Sequence, residues 1–368
     1  NVVSVLMQHF AVACVVSIIW IIIGYSLAFS SGNAWIGDFS NIFMKSIDLD
    51  STSGTIPESL FATFQMTFAI ITPALIIGAF VERIKFSAML IFISLWVLIV
   101  YVPVTHWVWG GGILSSWGTM DFAGGIVVHA TAGTAALITA LTLGKRRGFP
   151  KSITPPHSPI LTMIGAAMLW VGWFGFNAGS ALGANGGAGM AMLVTHISAS
   201  MAALVWMFIE WKRFGKPSLI GVVTGMVAGL ATVTPASGYI GIPGGLILGF
   251  SGGLLCYLAV DYIRGKLLID DSLDVFAVHG VGGILGTLLV AFLATSTFSG
   301  LGLPEGQTTL SQFVVQIKAV ILTVIWTSIF TYLILKVTSL IVPLRVDEQE
   351  EIEGLDLRSH GEKGYHSD

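Results

Sequence analysis

Charge is what this sequence has least of. Lys, Arg, Asp and Glu together make up 10% of 368 residues, where an ordinary soluble domain carries about a quarter. With 17 basic and 20 acidic residues and a mean hydropathy of +0.86, the chain cannot cover a water-facing surface. A cytosolic enzyme, a nucleic-acid binder and a secreted disulfide scaffold are all excluded. Cysteine is nearly absent as well: Cys14 and Cys256 both sit in apolar runs, where a thiol is a packing residue. No disulfide framework, metal site or cofactor is expected, and the net charge of -3 says nothing about partners. What the chain does have is 54% apolar residues and 44 glycines. Glycine weakens soluble helices but lets membrane helices approach closely. The chain reads as an all-α polytopic membrane protein.

A span needs roughly 20 apolar residues, and ten stretches qualify: 7–29, 58–80, 86–103, 122–144, 159–180, 187–211, 217–237, 239–261, 274–295 and 313–337. Fifteen of the 17 basic residues follow the even-numbered spans, Lys45 and Lys318 being the exceptions. The positive-inside rule makes that side, and the C-terminus with it, cytoplasmic. The base-free connection with Trp107, Trp109 and Trp117 then faces outward, its rings at the interface. An even number of spans puts Asn1 in the cytoplasm too. Because the chain opens on Asn without a signal peptide, an upstream segment, one more span, is expected. Residues 1–340 form the transmembrane domain and 341–368 a cytoplasmic tail, polar and acidic through Glu348, Glu350, Glu351 and Glu353. It is either a solvated extension or a docking element.

Titratable groups at membrane depth are functional candidates by default. Three histidines qualify, and two share a context: Val128-His129 is followed by Gly133, and Val278-His279 by Gly283. The motif V-H-x-x-x-G thus occurs twice in helices of opposite direction, the trace of an inverted repeat with substrate at the interface of the halves. Gly124, Gly125, Ala132, Gly280, Gly282 and Gly286 allow those helices to pack tightly. Two imidazoles meeting there would be content only if neutral. Alternatively, each satisfies a backbone carbonyl on its own. At helical rise His129 lies roughly 12 Å below Asp121, and His279 roughly 8 Å above Asp274. The rings therefore meet only if one helix begins below the surface. His196 has no such echo and reads as structural. Asp121 and Asp274 each precede a histidine helix and read as caps, Asp121 also supporting an outer cation site. Phe64, Phe68, Trp173 and Phe176 read as packing. Trp109 differs, because three glycines follow it and free its face for a cation; a hydroxyl such as Ser180 could accept from an ammonium-type ligand.

These residues together resemble the ammonium transporter family (Amt/Mep/Rh). The signature-like stretch is Asp121-Phe-Ala-Gly-Gly-Ile-Val-Val-His129-Ala-Thr-Ala-Gly133. Trp109-Gly-Gly-Gly112, Gly172-Trp-Phe-Gly-Phe-Asn-Ala-Gly-Ser180, Thr234-Pro-Ala-Ser-Gly-Tyr239 and Asp274-Val-Phe-Ala-Val-His279-Gly agree with it. The tail Glu353-Gly-Leu-Asp-Leu-Arg-Ser-His-Gly-Glu362 is similar to bacterial members. The resemblance covers the chain from end to end. It implies inverted five-helix repeats plus a C-terminal helix, eleven spans of which the first is absent here, and a homotrimer in the cell (inner) membrane with a pore in each subunit. By position it makes Trp109, Ser180 and Phe68 the ammonium recruitment site supported by Asp121. Phe68 and Phe176 become the phenyl gate, and His129 and His279 the twin pore histidines. Leu75, Leu169, Val275 and Trp173 line the pore. A PII-type regulatory protein is the implied partner at the cytoplasmic face. The implied activity is ammonium recruitment, deprotonation and ammonia conduction. An ammonium sensor is the competing class, disfavoured by a tail of about 30 residues that carries no output domain. An Rh-type gas channel is disfavoured because Trp109 and Ser180 build a cation site.

Overall fold

The structure, a computed structural model, describes residues 1–152 and 155–365; the last three tail residues lie outside it. Nine helices among the described residues are long and apolar enough to cross a membrane. They are α1 (Val2–Phe29), α2 (Glu58–Ile77), α3 (Phe86–Ser116), α4 (Gly125–Leu143), α5 (Pro159–Gly179) and α6 (Gly186–Phe214). After α7 (Leu219–Val233), a shorter apolar helix, follow α8 (Ile242–Gly265), α9 (Phe276–Leu293) and α10 (Thr309–Ile341). Nine of the ten expected spans thus coincide with helices of that length, and 217–237 holds only the shorter α7. α7, with 15 residues, is only about 22 Å long at 1.5 Å per residue. The tail adds α11 (Glu348–Glu353) and α12 (Leu355–His360). A two-stranded hairpin, β1 (Thr52–Ser53) and β2 (Ile56–Pro57), precedes α2.

Local chemistry sets the helix starts. Ser158, Asn185 and Ser218 accept the first free amides of α5, α6 and α7 through their side chains. Thr308 and Ser311 form a reciprocal capping box on α10. The third span is longer than its apolar run suggests. A π turn at Val97–Tyr101 precedes Pro103, so the helix absorbs the missing amide and continues to Trp109. This extension corrects the expected interfacial tryptophans. Trp107 is buried, its Nε1 donating to Trp35 O at 2.8 Å and its ring edge-on to Trp35 and Trp326.

α4 is the most enclosed helix, packed by α2, α9 and α10. α5 is the least enclosed, with Ile160, Leu161, Met168 and Val171 exposed. At the end of the bundle that carries Arg83, here called the basic end, charges pair across four segments. Arg146 grips Asp270 with two nitrogens and reaches Glu82. Arg345 pairs with Glu351 at 2.8 Å. The tail is therefore docked rather than solvated: Ile84 bridges to Arg345, Leu355 is buried, and Asp356 Oδ1 accepts Ser4 N–H at 2.7 Å.

Candidate functional site

The two V-H-x-x-x-G motifs fold alike. Each histidine lies in a π turn, Gly125–Ala130 in α4 and Phe276–Gly280 in α9, and each turn leads into 13 residues of regular α-helix. In α4 the widened turn is visible as His129 N–H bonding Gly124 O, five residues back. Thr131 Oγ donates to the loosened carbonyls of Val127 and Val128. A π turn inserts one residue and re-aims the side chains around it. The helices then cross at their glycines. A Cβ on Gly133 would lie 2.3 Å from Gly280 Cα, and one on Gly283 would lie 2.5 Å from His129 Cβ. Each motif's glycine thus receives the other motif's histidine segment.

The two Nδ1 atoms are 3.1 Å apart. One proton lies between them, since two donors or two acceptors at that distance would repel. The rings meet although residue counting from Asp121 and Asp274 sets them at different depths. The reason is that Asp121 is itself buried, at 3% exposure, so α4 begins inside the protein. His129 Nε2 is buried without a partner.

From His129 an aromatic column runs to Trp109. The His129 ring lies nearly parallel to Trp173 and Phe176, at 5.5 and 5.9 Å between centroids. Phe176 meets Phe68 at 4.5 Å, and Phe68 is edge-on to Trp109 at 5.4 Å. Phe64, one turn before Phe68 on α2, joins edge-on at 4.9 Å. It reads as packing from sequence, yet its i, i+4 spacing from Phe68 was the signal for a shared face. Trp173 is fixed by its Nε1 donating to Thr234 Oγ1 at 2.9 Å.

Asp121 organises the tryptophan end. Its carboxylate accepts four amides of α4's start, Gly124, Gly125, Ile126 and Val127, at 2.6–3.1 Å. Those bonds occupy both oxygens, so the side chain is a cap. Its backbone carbonyl accepts Trp109 Nε1 at 2.9 Å, which pins the indole. The glycines after Trp109 answer to backbone packing instead of freeing the ring. A Cβ on Gly110 would collide with Ala28 O, Gly111 has φ +85°, and Gly112 lies against His106 O. Ser180 Oγ donates to Phe176 O at 2.9 Å, leaving oxygen lone pairs to accept. His106, three residues from Trp109, carries no mark in the sequence; its ring nitrogens face Ala28 O at 2.9 Å and Asn33 O at 2.7 Å.

At the other mouth the expected cap is misplaced by three residues. Asp271 accepts Phe276 N–H at 2.7 Å. Asp274 sits at φ +56° and faces Arg264 at 3.6 Å. The left-handed backbone turns the Asp274 side chain away from the amides it would have capped. Burial pushes the Asp271 carboxyl up to about 6 and that of Asp274 up to about 7. Burial opposes ionisation of Asp270 as well, but the Arg146 guanidinium holds it below the usual range. Of the expected lining residues, Leu75 and Val275 pack in one cluster with Ala136, and Trp173 stacks on His129. Leu169 stands apart at 36% exposure and joins no core cluster among the described residues. His196 is exposed and stacks on Trp170 at 5.1 Å. Among the described residues no group of three or more His, Cys, Asp or Glu could hold a metal ion.

The family model described as Ammonium Transporter Family matches residues 1–365. An ammonium transporter of Bacillus subtilis is 44% identical over 370 residues, covering 99% of this chain and 91% of that one. The crystal structure of Saccharomyces cerevisiae Mep2 superposes with a TM-score of 0.83 at 34% identity, covering 94% of this chain and 82% of the other. A structure called Sensor Amt Protein gives 0.90 at 29% identity over 98% and 90% of the two chains.

Proposed function

Because this chain belongs to the ammonium transporter family, we propose that it moves ammonium nitrogen across a cell membrane through the aromatic column and the histidine pair. The relative from Bacillus subtilis is an ammonium transporter by name. The observation that carries the mechanism is the unbroken contact from Trp109 through Phe68 and Phe176 to His129 and His279.

Moving a bare ammonium ion through such a conduit would cost several kcal/mol or more in lost hydration. Potassium meets the same barrier and has no proton to give up. At the outer mouth the Trp109 ring offers its quadrupole and Ser180 Oγ a lone pair, a pairing that favours a cation carrying N–H donors. Phe68 and Phe176, with centroids 4.5 Å apart, bar hydrated ions and must swing aside for a neutral molecule. Ammonium gives its proton to water at the outer mouth, before the phenyls, so that the N–H bond breaks there and neutral ammonia continues. Below the phenyls the histidine couple supplies a polar contact inside an apolar tube. Because its Nδ1 atoms already share a proton, the couple accommodates ammonia without becoming a fixed positive charge. In this reading Leu75, Val275, Trp173 and, less enclosed, Leu169 form the walls. The basic end is cytoplasmic and is the face a PII-type protein would meet, and the assembly is a homotrimer.

The test is flux in proteoliposomes that report both ammonia uptake and charge movement. Wild-type protein transports, while His129→Ala and Trp109→Leu change flux or its selectivity over potassium. Unchanged flux in both variants removes the site assignment. The likeness to a sensor protein favours a second reading, ammonium sensing. It predicts ammonium binding to wild-type protein without flux.

A further inference from the structure

We infer that Gln316, on α10 and remote from the conduit, is a positioning residue for the ammonium recruitment site, holding the peptide before Asp121 and tying it to the helix of His279. The inference rests on the function proposed above and deepens it. Gln316 is fully buried, and its carboxamide pairs with a single residue's backbone in both senses. Met120 N–H donates to Oε1 at 2.9 Å, and Nε2 donates to Met120 O at 2.7 Å. The second Nε2 hydrogen reaches Thr287 O on α9 at 2.9 Å. Gln312, one turn earlier, donates to Gln316 Oε1 at 3.1 Å and to Gly118 O at 3.0 Å. Only one orientation of the amide meets an N–H on one side and two carbonyls on the other, so the network itself fixes oxygen and nitrogen.

What Gln316 holds is the junction of the site. The next residue, Asp121, caps the helix of His129 with four bonds and fixes the Trp109 indole through its carbonyl. Thr287 lies two turns beyond His279 on the same helix. One side chain therefore connects the recruitment tryptophan's anchor with both histidine-bearing helices. A buried amide whose polar atoms are this fully used specifies one register for the segment it grips. Loss of the grip lets Met120 and Asp121 shift, and a displacement of about 1 Å suffices to spoil binding geometry.

The experiment compares Q316M with wild type in proteoliposomes. Q316M keeps length and burial but removes all four bonds. Half-saturating ammonium rises about tenfold or more, and the ratio of ammonium to potassium flux falls. In a W109L background Q316M adds little further, because both changes act on the same anchor. A merely structural residue would lower the yield of folded protein or the maximal flux and leave half-saturation unchanged. That outcome, or full additivity with W109L, overturns the inference. If Q316M does not fold, Q316E carries the same test, since it retains an acceptor for Met120 N–H and replaces two N–H donors by a carboxyl that can donate at most one hydrogen. Failure of both variants to fold makes Gln316 a structural clamp and also overturns the inference. Wild-type protein without ammonium flux would instead overturn the proposed function.

Discussion

Gly283 lies against the Cβ of His129, at the 2.5 Å a methyl group would have to occupy, so the glycine of one motif sets the place of the other motif's imidazole. Gly133 does the same for the segment of His279 and Gly280. The 3.1 Å contact between the rings thus depends on two absent side chains as much as on two present ones.

Alanine at either glycine should separate the helices. Overpacking of a close crossing costs about 1–3 kcal/mol, so Gly283→Ala and Gly133→Ala should each fold with a lowered thermal midpoint. Ammonium flux should fall at least about tenfold. The combined variant should add little to either single one, since both break one contact. Flux at the wild-type level in Gly283→Ala would show that the rings need not touch.

Ser180→Ala probes the proposed recruitment role alone. The hydroxyl's own donation goes to Phe176 O within its helix, so its removal leaves the gate rings in place. Loss of one acceptor for a charged donor is worth about 1.5 kcal/mol. Half-saturating ammonium should rise about tenfold with maximal flux unaltered. A fall in maximal flux at constant half-saturation would place Ser180 in gating instead.

Asp121→Asn keeps the shape and removes an acceptor oxygen. The four amides at the start of α4 then compete for one carbonyl, and each buried donor left over costs about 1–3 kcal/mol. Thermal unfolding in detergent should move down by several degrees, with a parallel rise in half-saturating ammonium. A variant as stable as wild type would refute the capping role.

Asp271 gives a pH dependence of defined sign. Its carboxyl titrates near 3.8 when free and at about 6 in the fold, because burial disfavours the charge. Below about pH 4 both states are neutral. Between about pH 4 and 6 the unfolded chain is ionised while the folded carboxyl keeps its proton, so folding loses on the order of 3 kcal/mol across that interval and no more above it. Asp271→Asn keeps an acceptor for Phe276 N–H and has no charge to bury. The melting temperature of the variant relative to wild type should therefore climb between pH 4 and 6 and stay high above. A difference independent of pH would mean that Asp271 is ionised throughout.

Much of the site was legible because membrane helices write their chemistry in rare letters. Two histidines in one repeated motif and a tryptophan before three glycines stand out in a chain with 10% charge. Phe64 is legible only as packing, since its i, i+4 spacing marks a face shared with Phe68 but not what that face meets. The cap at the start of α9 was placed on Asp274 when the work belongs to Asp271. Sequence distance to the helix favours Asp274, and the positive φ there overrides it. Trp107 looked like an interfacial ring because the apolar count stopped at Pro103. The π turn that carries α3 past the proline has no signature in composition.

By itself the sequence determined that the chain is helical and membrane-embedded, roughly where its apolar helices lie, and that two histidine helices carry one motif. Those properties follow from apolar run length, charge scarcity and a repeated motif, each of which acts locally along the chain. Only the tertiary structure decided which partners those residues meet. It buried Asp121 so that α4 starts inside the protein, threaded the glycines past the opposing histidines, and brought Gln316 from the last long helix onto Met120. Such contacts join residues up to 196 positions apart, and distance along a chain does not encode the crossing of its helices.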